Sequence, residues 1–242
     1  MSTIYLVRHG QAGTRNAYDC LSPLGRRQAR LLGEYLAAQR LVFSAAYSGS
    51  MKRQQDTAFE VQSAYRDLGV EFPEIVVKPD WDEFNLDRIY REIGPRMRSD
   101  DPSFREQYEA MQQEVRCSGS DQDAAVHRRW LPCDSRIVKA WIAGQYSYQG
   151  ESWDDFRKRV AGCGCEWRNG TRKTNIIVFT SAMPVGIWAG LALDIADERV
   201  LRLAGVLHNS SYSILRCKAD VLRLHTFNAA PHLVQDDLRT YR

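Results

Sequence analysis

Asn175-Ile176-Ile177-Val178-Phe179-Thr180 is the clearest buried strand in the chain: a continuous apolar run bounded by polar residues. It leads through Ser181-Ala182-Met183 towards a helix expected to begin at Pro184. A second short apolar run, Ile4–Val7, lies at the start of the sequence and ends in Arg8-His9-Gly10. Both therefore read as strands that finish in polar or charged residues. Working outward, Ser22-Pro23 supplies an N-cap and a first-turn proline, and Leu32, Tyr35 and Leu36 mark one face of a helix running to about Gln39. Leu41–Tyr47 and Ile75–Val77 read as further strands, with a helix over Met51 to about Leu68 between them. Ser152 with Asp155 three residues on resembles a capping box that opens a helix to about Trp167. Ser211–Cys217 and Val221–Phe227 read as paired strands. Strands alternating with helices predict an α/β fold, a three-layer α/β/α sandwich with a mostly parallel central sheet.

Between about residues 84 and 150 the strand signals vanish, and aromatic and aliphatic residues recur at helical spacing, as in Phe104-Tyr108-Met111 and Ile137-Trp141. This segment reads as a helical insert, or cap, within a single domain covering residues 1–242. Arg116–Asp123, which contains Ser118-Gly119-Ser120, is expected to be a loop inside it.

With 44% hydrophobic and 26% charged residues, the composition is that of an ordinary globular protein. A net charge of +3 over 242 residues does not argue for binding nucleic acid or a membrane. The doublets Arg26-Arg27 and Arg128-Arg129 read as solvated helix faces. No apolar run approaches the roughly 20 residues needed to span a bilayer, and the first residues lack the pattern of a signal peptide, so a cytoplasmic location is expected. Six cysteines, with only Cys163 and Cys165 close together, do not form a zinc pattern and are expected to be reduced.

In α/β sheets ligands sit at the carboxyl ends of strands, which directs attention to Arg8-His9-Gly10 and Ser181. A neutral imidazole can attack phosphorus, an adjacent guanidinium can hold phosphate oxygens in a bidentate fork, and glycine allows close backbone approach. The tripeptide alone is a weak signal. Its context is VRHGQA, then LSPLGRRQARLLGEYL, then YSGSMKRQQDTA, in this order. With these segments the sequence resembles the histidine phosphatase superfamily, the phosphoglycerate-mutase-like family. The resemblance covers nearly the whole chain except about 84–150. It implies His9 as the nucleophile that becomes phosphorylated, Arg8 and Arg53 as phosphate-binding residues, and Gly10 at the phosphate. It also implies Glu83, in WDEF, as the proton donor, with Asp80 and Asp82 as nearby alternatives. Neither a metal nor another cofactor is implied, since the two arginines meet the charge of the transferring phosphoryl group.

The sequence departs from the family at one place. Where the family carries a second histidine followed by two glycines, this chain has Ser181-Ala182-Met183. Serine donates only a neutral hydrogen bond, and loss of a charged donor costs up to roughly 100- to 1,000-fold in rate. The helix start after Ser181 still offers backbone N–H groups to an anion. His208, near the start of an expected strand, could in principle substitute for that imidazole; structural duty is the favoured reading for it and for His127, His225 and His232.

The resemblance thus implies phosphomonoester hydrolysis through a phosphohistidine. A weakly active or inactive relative that binds phosphate or a phosphoprotein is the alternative. A phosphoglycerate-type mutase is less favoured, because the extended mutase signature is absent from RHGQAGTRN. The partner would be a phosphorylated small molecule or a phosphoprotein. Arg88, Arg91, Arg96 and Arg98 in the insert either attract a polyanionic substrate or form a solvated face; the second is the favoured reading. The sequence fixes neither the substrate nor the oligomeric state.

Overall fold

A computed structural model describes residues 2–119, 121, 124–164, 167, 174–218 and 221–241. Six strands form one sheet: β1 (Ser2–Arg8), β2 (Ala45–Ser48), β3 (Ile75–Val77), β4 (Thr174–Thr180), β5 (Tyr212–Lys218) and β6 (Val221–Ala229), in the order β3-β2-β4-β1-β5-β6. β3, β2, β4 and β1 pair in parallel, whereas β5 runs antiparallel to β1 and β6 antiparallel to β5. The sheet is therefore mixed, with a parallel half that carries the strand ends of interest.

The apolar runs at β1 and β4 follow from burial on both faces. Ile4, Leu6, Ile176 and Val178 point into one core, and Val7, Ile177 and Phe179 into the other. Helices α1 (Pro23–Ala38) and α2 (Lys52–Asp67) close the second core with Leu32, Leu36, Ala58 and Val61. α8 (Trp153–Gly162), α9 (Ala182–Leu193) and α10 (Asp197–Ala204) close the first with residues such as Phe156, Trp188 and Val200. These are the three layers that the strand and helix pattern predicts. Between β3 and α8 lies the expected helical segment: α3 (Leu86–Glu92), α4 (Gly94–Asp100), α5 (Pro102–Ser118), α6 (Ala125–Arg128) and α7 (Pro132–Ile142).

Several boundaries differ from the sequence reading, each for a local reason. Of the Leu41–Tyr47 run only the last three residues are strand, in β2 (Ala45–Ser48), because the chain leaves α1 through Arg40 at φ 52° and uses Phe43 to fill the core against Tyr5, Tyr65 and Phe72. Arg116–Ser118 belong to α5, which ends where Gly119 takes φ 53°; Ser120, Gln122 and Asp123 of the expected loop lie outside the described residues. α9 starts at Ala182, not Pro184, because a proline in the first helical turn removes an N–H that has no intrahelical partner. α8 ends at Gly162, and Cys165 also lies outside the described residues. At the start of α8, Ser152 Oγ accepts the Asp155 N–H at 3.2 Å and donates to Asp155 Oδ2 at 2.7 Å, a variant of the expected box.

Gly10 and Gly25 let the loop after β1 lie directly on the first turn of α1. A Cβ on Gly25 would overlap the Gln11 carbonyl oxygen, and one on Gly10 would overlap the carbonyl oxygen of Gly25. The neighbours in both cases are backbone and cannot swing away. Gly25→Ala is therefore expected to destabilise the fold by about 2 kcal/mol through overpacking. The check is a lower denaturant midpoint at unchanged slope; an unchanged midpoint would contradict the contact.

Candidate active site

The carboxyl ends of β1 and β4 meet the start of α2 and the segment after β3 at a pocket of ≈ 400 Å³. Arg8, His9, Arg53 and Glu83 all line it.

His9 is 2% exposed, and its backbone N–H donates to the Thr180 carbonyl at 2.9 Å. Its Nδ1 lies 2.7 Å from the Gly10 carbonyl oxygen. Since a carbonyl only accepts, Nδ1 carries the proton and Nε2 carries the lone pair. Arg53 Nε donates to that Nε2 at 3.2 Å. Burial, with Arg53 and Arg8 close by, holds the imidazole well below the usual histidine range. His9 is thus held neutral, with the electron pair of Nε2 turned to Arg53 at the pocket.

The spacing Arg53-x-x-x-Thr57 has a simple mechanical meaning. Thr57 Oγ1 donates to the Arg53 carbonyl one helical turn back at 2.7 Å and accepts the Gly10 N–H at 3.0 Å. One side chain therefore ties the helix that carries Arg53 to the loop that carries His9. Gly10 itself serves this close packing of loop and helices.

Arg8 is buried, with Nη1 donating to the Leu207 carbonyl and Nη2 to the Tyr241 carbonyl at 2.9 Å. Arg53 is 5% exposed; its guanidinium lies over the Tyr18 ring, 4.8 Å from the centroid, and its Nη1 donates to Asp19 Oδ1 at 2.9 Å. Asp19 is more than half exposed and holds a donor that a phosphate oxygen would use. Asp19→Asn is expected to tighten inorganic phosphate about two- to fivefold, the range of an exposed ion pair. Competitive inhibition constants would read this; weaker phosphate binding would mean that Asp19 orients Arg53 instead.

Glu83 follows the turn Pro79–Trp81, whose Trp81 is fully buried against Trp167 and Trp188. Glu83 Oε2 accepts the Met183 N–H at 3.1 Å, and Oε1 accepts the Phe84 N–H at 3.2 Å. Burial raises its pKa, opposed by the Met183 N–H and by the charge of Arg53. The raised carboxyl is the state a proton donor requires. Asp82 instead caps Ser50, accepting its backbone N–H at 2.5 Å. Asp80 does not line the main pocket.

Two expectations at β4 are corrected. Ser181 is 1% exposed and its Oγ accepts from Gln54 Nε2 at 2.8 Å, while Ala182 and not Ser181 lines the pocket. The serine oxygen takes the Gln54 amide as a donor, and the side chain is buried outside the pocket lining. The start of α9 does not offer the Met183 N–H to an anion, because Glu83 already holds it. His208 packs its ring on Tyr241 at 4.6 Å and does not line the pocket. His127 has the structural duty foreseen, its Nε2 2.9 Å from Ser118 Oγ and its Nδ1 accepting the Arg15 N–H at 3.2 Å.

The sequence reading missed Arg15, Tyr18, Asp19 and Asp134, all at the pocket. Arg15 meets Asp134 through Nη1–Oδ1 at 3.1 Å and Nη2–Oδ2 at 2.6 Å, and Tyr90 Oη donates to Asp134 Oδ1 at 2.8 Å. Arg15 lies 119 residues from Asp134, so no local pattern announces the pair.

The family model for the histidine phosphatase superfamily (branch 1) matches residues 4–141 and 134–230. The chain belongs to the histidine phosphatase superfamily. It is 24% identical over 166 residues to the Caenorhabditis elegans protein named serine/threonine-protein phosphatase Pgam5, mitochondrial; the match covers 68% of this chain and 56% of that relative. The chain thus spans little more than half the length of that curated relative. Among solved structures, a putative alpha-ribazole-5'-P phosphatase from Escherichia coli superposes with a TM-score of 0.62 at 15% identity, covering 95% of this chain and 98% of that one. A phosphoserine phosphatase from Entamoeba histolytica superposes at 0.57 and 15% identity, covering 97% and 100%. These likenesses carry the fold.

Among the described residues no group of three or more His, Cys, Asp or Glu is placed to hold a metal ion, and no helix is long and apolar enough to cross a membrane.

Proposed function

We propose that this protein hydrolyses phosphomonoesters through a phosphohistidine on His9. The observation that carries the reading is the Nδ1–Gly10 hydrogen bond, which fixes the tautomer that leaves Nε2 as a nucleophile in a pocket with two arginines. In the first step, Nε2 leaves Arg53 Nε and bonds to phosphorus while the ester P–O bond breaks. Arg8 and Arg53 bind the equatorial oxygens, where negative charge sits during transfer. Glu83 gives its proton to the departing oxygen. In the second step, the Glu83 carboxylate takes a proton from water as that water attacks phosphorus, and the P–N bond breaks to free His9 and inorganic phosphate. We read residues 1–242 as one domain whose helical segment is the cap over this pocket. The substrate is a phosphorylated small molecule or a phosphoprotein. A cytoplasmic location belongs to the same reading.

The second reading is a phosphate-binding relative of low turnover. It is favoured by Ser181 lying buried outside the pocket lining and by Asp19 resting on Arg53. Hydrolysis of p-nitrophenyl phosphate in the presence of chelator, beside the His9→Ala variant, separates the two. Chelator-resistant turnover lost in the variant supports the phosphatase; turnover equal to the variant's background supports the binder.

A further inference from the structure

The phosphate end of the pocket accounts for only part of its wall. Opposite lies α5, which presents Tyr108, Met111, Gln112 and Val115 at the spacing of one helical face. Tyr90 and Trp130 complete this side. The ring of Tyr90 lies 5.6 Å from that of Tyr108, and its hydroxyl is already engaged by Asp134. The cap therefore meets the leaving group mainly with aromatic faces, a thioether and a valine.

The charges of the outer pocket point the same way. Beyond Arg8 and Arg53, the cation in the lining is Arg15. Its guanidinium is held edge-on by the buried Asp134 carboxylate, and its Nε donates to the Val126 carbonyl at 2.8 Å. Asp87 lines the same region. Arg88, Arg91, Arg96 and Arg98 do not line this pocket; Arg88 pairs with Glu92 at 2.6 Å, and Arg98 sits over the Tyr108 ring at 5.0 Å. A second anion on the substrate would thus meet aspartate and apolar wall, with its potential cation already neutralised.

We propose that the preferred substrates are phosphomonoesters whose leaving group is uncharged and apolar, above all one bearing an aromatic ring, and that esters carrying a second anionic group are selected against. This rests on the phosphatase reading above and names its substrate class. The aromatic and aliphatic side chains that Tyr90, Tyr108, Met111, Val115 and Trp130 bring to one wall would bury such a ring while the arginines fix its phosphate.

The test compares three alkyl esters with similar alkoxide leaving groups: ethyl phosphate, 2-phenylethyl phosphate and 3-carboxypropyl phosphate. The expected order of kcat/KM is phenylethyl, then ethyl, then carboxypropyl, with at least about tenfold between first and last. Met111→Arg places a free cation on the wall and is expected to reverse the order of the first and last. Val115→Arg is the second variant should the first fail to fold. Calorimetric binding of the same esters to the His9→Ala protein reads the order without turnover. Equal values for all three esters, or the carboxylate ester first, would overturn the proposal. Absence of turnover with every ester, p-nitrophenyl phosphate included, would instead sink the phosphatase reading; the binding order would still decide the preference.

Discussion

His9→Ala is expected to lower phosphatase turnover by at least about 10³-fold, because it removes the atom on which the phosphoryl group is carried. The loss should appear in kcat, while binding of inorganic phosphate persists, since Arg8 and Arg53 keep their own anchors at Leu207, Tyr241 and Asp19. Rapid acid or base quenching offers an independent reading. Labelled phosphate should be recovered on wild-type protein as a base-stable, acid-labile adduct and be missing from the variant. Equal turnover in both proteins would remove His9 from the reaction. The pH dependence carries the same signature. His9 is depressed below the usual histidine range, so it stays unprotonated as pH falls through the range where a free histidine would gain a proton. The acid limb of kcat/KM therefore lies below pH 6.5, the ordinary histidine value.

The second large effect belongs to Glu83. Glu83→Gln keeps the side-chain volume and one acceptor for the Met183 N–H but loses the transferable proton. On an alkyl phosphate the expected loss is about 10²- to 10⁴-fold. On p-nitrophenyl phosphate, whose leaving group departs without a proton, the first step should be nearly spared. Its raised pKa keeps Glu83 protonated above the ordinary carboxylate range, so the alkaline limb for an alkyl ester lies above 4.5 and should disappear in the variant. Similar losses on both esters in the rate of the first step, read as the burst of released alcohol or phenol, would show a structural role through the anchoring of α9. Normal activity on the alkyl ester would exclude Glu83 as the donor.

Much of this site was legible because its signals are local. The apolar runs ending in Arg8-His9 and in Thr180 mark strand ends, and those ends are where the sheet gathers ligands. The Arg53–Thr57 spacing reads as one helical turn, and the structure gives it a reason in the Thr57 link to Gly10. Ser181 was read as a candidate because of its position after β4, but sequence carries no sign of Gln54, 127 residues away, which donates to its oxygen. Arg15 and Asp134 were missed for the same physical reason: a bidentate pair between a strand loop and a cap helix has no periodicity. Phe43 shows how an apolar run misleads about strand length, since burial alone does not require a sheet. In the cap, helical spacing fixed the element type, but the orientation of α5 towards the pocket depends on packing against α4, α6 and α7.

The Arg15–Asp134 pair also bears on how the pocket exchanges its contents. It joins the loop after β1 to α7, and side-chain exposures of 10% and 1% place it away from water. Parting a buried pair of this kind strands a charge, at a cost of about 3–5 kcal/mol. The roof is thus riveted to the floor at its far edge, and it does not work as a hinged lid. Asp19 and Asp87, which also line the pocket, are exposed and can turn without disturbing this packing. Moderate salt, which weakens exposed pairs, leaves such a roof in place. Under the proposed hydrolysis, a phosphate would have to enter with the roof closed at that edge, so a macromolecular substrate would offer a protruding side chain or chain end.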